Sequence, residues 1–365
     1  MKLSIKKEKI TSVLQSVVGV VEKKHTAPIL ANLRMQADNN GLVVTTTDNE
    51  VELTIRAGDV EVSSGGILTT PARKFLELCR SLPDGSLIKL ALQENRLLFE
   101  SGSFQSHLST LPAGDFPLVQ QQDARLSFEM PAAELKNMLV KTSFAMAQQD
   151  VRYFFNGTLF DFTDKQLRLV ATNGQRLATT LSETQAEGAG QFIVPRKGIN
   201  EIARIIGSAD GNLSIVFSQN HISMDTGSST IISKLIDGAF PDYKAAIPKT
   251  GDKIMTGDRQ KLRDALIRAS ILTNEMYRNV KLHLEKGRIS VFANNPMQED
   301  AREELAVEYD GQDLEIGFNV SYLIDTLSVM EGDQTRLTFI DGSSAVLIED
   351  PEDEKTTFVI SPMVI

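Results

Sequence analysis

Apolar and polar residues alternate along "GLVVTTTDNEVELTI" from Gly41, break at a polar turn and resume. That pattern predicts two antiparallel strands and a tight connection. It recurs at "QLRLVATNGQRLATT" from Gln166 and at "GRISVFANNPMQEDA" from Gly287. Thr47-Asp48, Thr172-Asn173 and Ala293-Asn294 hold like places, 125 and then 121 residues apart. A longer block follows each pair. It begins at Ile67 ("ILTTPARKFLELCRS"), Phe192 ("FIVPRKGINEIARII") and Ile316 ("IGFNVSYLIDTLSVM"). Each reads as a short strand, a helix and two further strands joined by a Gly, Asn or Asp turn. A first helix opens every repeat, with apolar residues at helical spacing, as in Leu262, Leu266 and Ala269.

The chain is therefore three copies of one unit of about 120 residues. Boundaries fall at 1–124, 125–250 and 251–365. The expected class is α+β, with two helices and antiparallel strands in each copy. Phe116-Pro117 and Phe240-Pro241 mark the closing turns of copies one and two. The third copy closes on "VISPMVI".

Composition narrows the class. Apolar residues make up 41%, and Cys79 is the only cysteine, so no disulfide framework exists and a reducing cytoplasm is the expected compartment. The opening "MKLSIKKEKI" lacks an apolar signal-like core, and runs such as "VVGVV" are too short to span a bilayer. Catalytic motifs are missing: there is no nucleophile elbow, phosphate-binding loop or zinc-protease helix signature. His283 and Glu285, two apart in "KLHLEKG", share one strand face; a solvated face is the preferred reading over half of a metal site. No catalytic residue, metal or cofactor is expected. A carbohydrate-active hydrolase with paired carboxylates is the competing reading, but no carboxylate pair stands apart from turn and surface positions.

The net charge of −10 argues against a nucleic-acid partner until its distribution is examined. Six helical stretches (7–24, 71–82, 131–147, 195–207, 258–274 and 319–330) hold 16 basic against 8 acidic residues. They carry +8, leaving −18 elsewhere. Helices gathered on one surface would attract phosphates while the remainder repels them.

Several segments, in order and from end to end, closely resemble the bacterial DNA polymerase III beta subunit family of replication sliding clamps. They are "QQDVRYFFNG" (148–157), "VATNGQRLA" (170–178), "VPRKGINEI" (194–202), "SKLIDGAFPDY" (233–243) and "FNVSYLIDTL" (318–327). The resemblance implies a head-to-tail homodimeric ring of six like domains, helices lining the hole and sheets outside. It implies a non-enzymatic processivity factor, loaded by an ATP-driven clamp loader, that tethers DNA polymerase III core and other polymerases to duplex DNA. Simple geometry agrees. Six helices packed about 10 Å apart leave a hole of about 10 Å, too narrow for a duplex roughly 20 Å wide; twelve leave about 30 Å. Two chains are required.

Resemblance and charge together nominate Lys24, Arg73, Gln149, Arg152, Tyr153, Arg196 and Lys197 for sequence-independent DNA contact. The resemblance also implies a peptide groove of Phe155, Thr172, Gly174, Gln175, Arg176, Leu177, Pro241, Ile247, Tyr322, Val346, Ser361, Pro362 and Met363. Leu108 is expected to meet Ile271 and Leu272 of a second copy, with Leu108 burial contributing about 1.5–3 kcal/mol. The chain departs from the family at Ser106, where an aromatic is usual, and at Gln175, Ala246, Ser361 and Val364. Ser106 bears on how the dimer contact packs; the other four imply a more open and less positive groove.

Overall fold

The computed structural model describes residues 1–21, 27–120, 123–163, 165–186, 188–207 and 209–363. Among these residues there are six α-helices: α1 (Lys7–Val17), α2 (Ala72–Ser81), α3 (Ala132–Thr142), α4 (Arg196–Ile206), α5 (Arg259–Ser270) and α6 (Val320–Val329). Their starts repeat. Pro71, Pro131 and Pro195 end the strands leading into α2, α3 and α4, where a missing N–H costs nothing. Asp258 and Asn319 instead cap α5 and α6, their Oδ1 atoms accepting from Lys261 N (2.9 Å) and Ser321 N (3.0 Å). α1 ends at Val17 rather than running on to residue 24 as its composition suggests. Val18, Gly19, Val20 and Val21 follow, a β-branched and glycine run of poor helix propensity.

The chain forms two compact units. One comprises Met1–Glu134 with Lys197–Leu235, the other Leu135–Arg196 with Ile236–Ile365. The middle copy contributes to both, because its strands continue the sheets of its neighbours.

In the first unit, a five-stranded sheet runs Val60–Ser64, Lys2–Lys6, Leu87–Gln93, Arg96–Ser101, Phe104–Ser109. An eight-stranded sheet runs Leu126–Pro131, Asn212–Phe217, His221–Asp225, Ser229–Lys234, Val51–Ala57, Gly41–Thr47, Asn32–Asp38, Gly66–Pro71. α1 and α2 pack together, and α1 buries Ile10, Val13, Leu14 and Val17, a stripe at helical spacing. Each such side chain contributes about 1.5–3 kcal/mol on burial. Cys79 is buried on α2, and desolvation pushes its thiol up to about 12.

In the second unit, a nine-stranded sheet runs Gly190–Pro195, Gly157–Thr163, Gln166–Thr172, Arg176–Glu183, Asp353–Ile360, Val346–Asp350, Gln334–Phe339, Lys253–Asp258, Glu308–Tyr309. A four-stranded sheet runs Asp300–Ala306, Arg288–Asn294, Asn279–Glu285, Leu314–Asn319, and α5 packs on α6. The copies join by strand pairing. Ser229–Lys234 of copy two pairs antiparallel with Val51–Ala57 of copy one, Ile231 opposite Leu53. Asp353–Ile360 of copy three pairs with Arg176–Glu183 of copy two, Phe358 opposite Ala178. At the second joint the Thr180 and Thr356 hydroxyls hydrogen-bond at 2.9 Å. The third equivalent pair of strands, Phe104–Ser109 and Asp300–Ala306, lies at sheet edges.

Candidate functional site: an apolar groove beside a basic loop

In the second unit the joint carries a groove of about 150 Å³. The turn after Gln166–Thr172 supplies Thr172, Gly174, Gln175, Arg176 and Leu177; Phe155 forms one wall, with Phe240, Pro241, Asp242, Tyr243 and Ala246 along the closing turn and Ala345, Val359 and Ser361 from copy three. Below it, Phe155, Leu159, Val170, Leu177, Ile193, Phe240, Tyr243 and Val359 form one buried cluster. Phe155 meets Phe240 edge to face, centroids 6.1 Å apart. A rigid apolar floor with a polar rim suits an extended peptide bearing one or two large apolar side chains.

Specific bonds hold this shape. Asn173 Oδ1 accepts from Gln175 N and Arg176 N, both at 2.9 Å, closing an Asx turn. Gly174 adopts φ +87°, and a Cβ there would lie 3.0 Å from the Arg152 guanidinium. Arg176 donates to Asp325 Oδ2 (2.6 Å) and to Phe144 O (2.5 Å), and lies over the Tyr322 ring at 4.6 Å. Tyr322 OH accepts from Asn173 Nδ2 at 3.3 Å. On the opposite wall, Tyr243 donates its hydroxyl to buried Asp161 (2.7 Å), which also accepts from Gln191 Nε2 (3.1 Å). Burial and the Asp161 bond push the Tyr243 phenol far above its ordinary value, so it stays a donor.

The structure accounts for the other residues expected in this groove. Val346 is fully buried. Ile247 packs half-buried against the cluster. Pro362 and Met363 are half-buried but outside the groove lining; Met363 N bonds Gly317 O at 2.8 Å. Val364 lies outside the described residues. Sequence reasoning missed Phe240, Asp242, Tyr243, Ala345 and Val359 as lining. Tyr243 stands in the quoted "FPDY" turn; Val359 and Ala345 carry no signal that separates them from ordinary core.

The basic residues are tied more tightly than charge counting suggests. Arg152 grips Asp150 through two bonds of 3.0 and 2.9 Å, holding that carboxyl down at about 2. Tyr153 is 55% exposed, and Gln149 is exposed with φ +57°. Arg196 donates to Ala147 O (3.1 Å) and Met146 O (2.7 Å), anchoring the segment that leads into this loop. In the first unit, Arg73 donates to Val21 O at 2.6 Å, and Lys197 pairs with Asp48. Lys24 lies outside the described residues. The donors of Arg73 and Arg196 serve the fold by bonding backbone carbonyls.

Three family models cover nearly the whole chain. They describe the DNA polymerase III beta subunit: N-terminal domain over residues 1–120, central domain over 129–242 and C-terminal domain over 244–364. The chain belongs to the DNA polymerase III beta subunit family. It is 45% identical over 365 residues to the beta sliding clamp of Pseudomonas putida, and 40% identical over 364 residues to that of Escherichia coli K12. Each alignment covers 100% of both chains. The crystal structure of the DNA polymerase III subunit beta from Pseudomonas aeruginosa superposes with a TM-score of 0.97, at 44% identity and full coverage of both chains. The three-domain α+β architecture is thus a property of the beta-subunit family.

Within this family fold, the residues nominated for dimer contact differ in availability. Leu108 is already 8% exposed, opposite Leu97 in its own sheet, so little of its surface remains to be buried. Ile271 is 74% exposed beyond α5, and Leu272 is half-buried. Phe104, 41% exposed on the edge strand, is the larger apolar surface there.

Proposed function

We propose that this chain is a DNA sliding clamp: a non-enzymatic ring that encircles duplex DNA and tethers polymerases as a processivity factor. An ATP-dependent clamp loader opens and closes it. The carrying observation is the full-length membership of the beta-subunit family, joined to an apolar groove at one internal joint. The repeating units are 1–124, 125–250 and 251–365; the last strands of the second and third pair with the copy before them. The groove receives short peptide segments of DNA polymerase III core, other polymerases and the loader. Arg152, Tyr153 and Gln149, with Lys24, Arg73, Arg196 and Lys197, contact phosphates without reading bases, so the ring slides. Among the described residues no helix is long and apolar enough to cross a membrane. We place the protein in the cytoplasm, on chromosomal DNA.

The ring is a head-to-tail homodimer. Both internal joints pair the last strand of one copy with the strand after the Asp/Asn turn of another. The remaining strands of that kind are Phe104–Ser109 and Asp300–Ala306. Carried onto them, the internal register puts Ser106 of one protomer opposite Arg302 of its partner. Ile271 and Leu272 lie near that seam. Gel filtration tests this: a dimer elutes near twice 40.2 kDa and is retained on nicked circular plasmid but slides off linear DNA. A monomer, or equal retention on both DNAs, overturns it.

A further inference from the structure

The outward face of the four-stranded sheet holds a cluster that neither the groove nor the basic residues use. On Asn279–Glu285, Val280, Leu282 and Leu284 are buried, so Lys281, His283 and Glu285 point away from the core. Asp313 lies just before the neighbouring strand, one position beyond the Leu284–Leu314 pair, and so falls beside Glu285. One ligand atom from each of His283, Glu285 and Asp313 lies within 4.8 Å of the others. His283 Nδ1 is 3.9 Å from Glu285 Oε2. A second feature points to the same spot. Ser290 stands directly opposite His283 on the next strand, is 4% exposed, and its Oγ is buried without a hydrogen-bond partner. A buried hydroxyl left unpaired is costly unless something supplies the missing bond.

We propose that His283, Glu285 and Asp313 form a binding site for a divalent cation of the zinc type, with Ser290 Oγ bonded to a water on the ion. One imidazole and two carboxylates form a borderline donor set that suits zinc better than magnesium or calcium. Three protein ligands leave the fourth tetrahedral position to water, and Ser290 Oγ, opposite His283, is a buried hydroxyl with no partner of its own. A tetrahedral ion with ligands at about 2.1 Å spaces them about 3.4 Å apart, so the side chains need close by only about an ångström. They can, because His283 and Glu285 are half-buried and Asp313 is exposed. Arg288 donates to Glu285 Oε2 at 2.5 Å. A carboxylate has several acceptor positions, so the guanidinium and an ion can share it. The sequence supplied the His283–Glu285 pair; the third ligand comes from a loop 28 residues further on, which only the fold brings near.

The test is calorimetric titration of zinc chloride into the full chain, stripped with chelator, in a non-coordinating buffer. One saturable site per chain is expected. His283→Ala and Asp313→Asn should each weaken it at least about tenfold, and Ser290→Ala by a smaller factor. Asp310→Asn, which alters the nearby pair with Lys286 outside the cluster, should leave it unchanged. The other three histidines remain in His283→Ala. Parental affinity in that variant would put the ion elsewhere and overturn the proposal, as would the absence of saturable zinc binding in the parent.

Discussion

At the joint of copies one and two, Glu52 lies opposite Ile232; at the joint of copies two and three, the corresponding Leu177 lies opposite Val359. The ladders match residue for residue, because Thr47 pairs with Glu52 as Thr172 pairs with Leu177. The side chains diverge. Glu52 accepts from Val119 N at 2.9 Å and is buried there, which pushes its carboxyl up. Val119 takes the place that Tyr243 holds in the second joint. His221 likewise corresponds to Ala345; both its ring nitrogens are buried without a partner, beside a cleft of about 440 Å³ that also includes Ser218, Ser223 and Thr230. One backbone scheme thus yields a more polar cleft at one joint and an apolar groove at the other. Strand pairing fixes where a site can stand, and a few substitutions decide what it accepts.

The largest expected effect comes from moving the copy-one chemistry into the groove. Leu177→Glu places an unpaired carboxylate among Phe155, Phe240 and Val359. Fluorescence anisotropy with a labelled polymerase-tail peptide should show affinity falling by at least about 100-fold, since burying a lone charge is prohibitive. Undiminished binding would mean that the groove is not the peptide site.

A second comparison concerns the first residue of a strand. Asn32 opposes Pro71 in copy one, and Gly157 opposes Pro195 in copy two. Asn32 fits, donating to Thr69 Oγ1 at 3.1 Å. A Cβ on Gly157 would sit 2.5 Å from Val194 O. Gly157→Ala should therefore cost about 2–3 kcal/mol in denaturant unfolding, and Asn32→Ala about half of that. The reverse order would show that the two sites are not packed as described.

The repeat was legible because alternation, Asp/Asn turns and amphipathic helices recur at a near-constant interval. Much of the groove was legible too: Phe155, Thr172, Gly174–Leu177, Pro241 and Ser361 do converge. Phe240, Tyr243 and Val359 were not, since a residue that is both core and lining looks only like core in one dimension. Charge counting could not reveal that Arg73 bonds the Val21 carbonyl and Arg196 forks onto those of Met146 and Ala147, and apolar character could not reveal that Leu108 is already covered.

Smaller effects sharpen the contrast. Tyr243→Phe removes the bond to Asp161 and should cost about 1 kcal/mol of stability, while weakening peptide binding several-fold as the closing turn loosens. Parental peptide affinity would limit that bond to folding. Glu52→Gln should alter stability least. Its folded pKa is raised, so the native state holds its proton to higher pH than the unfolded chain. Glu52 therefore favours folding at low pH, and that advantage fades as pH rises past the ordinary carboxylate value. Melts from acid to neutral pH should show Glu52→Gln gaining on the parent as pH rises; parallel curves would remove the carboxylate from the account.

Cys79 has a practical meaning for anyone who wishes to watch this molecule. A thiol that is buried and pushed up to about 12 is almost never a thiolate at neutral pH, so labelling reagents should pass it by. The protein is by nature a blank background for thiol chemistry. Cysteines placed at Ser106 and Arg302 would be the reactive pair in the molecule, and oxidation across the proposed seam would lock a covalent circle around any DNA it had enclosed.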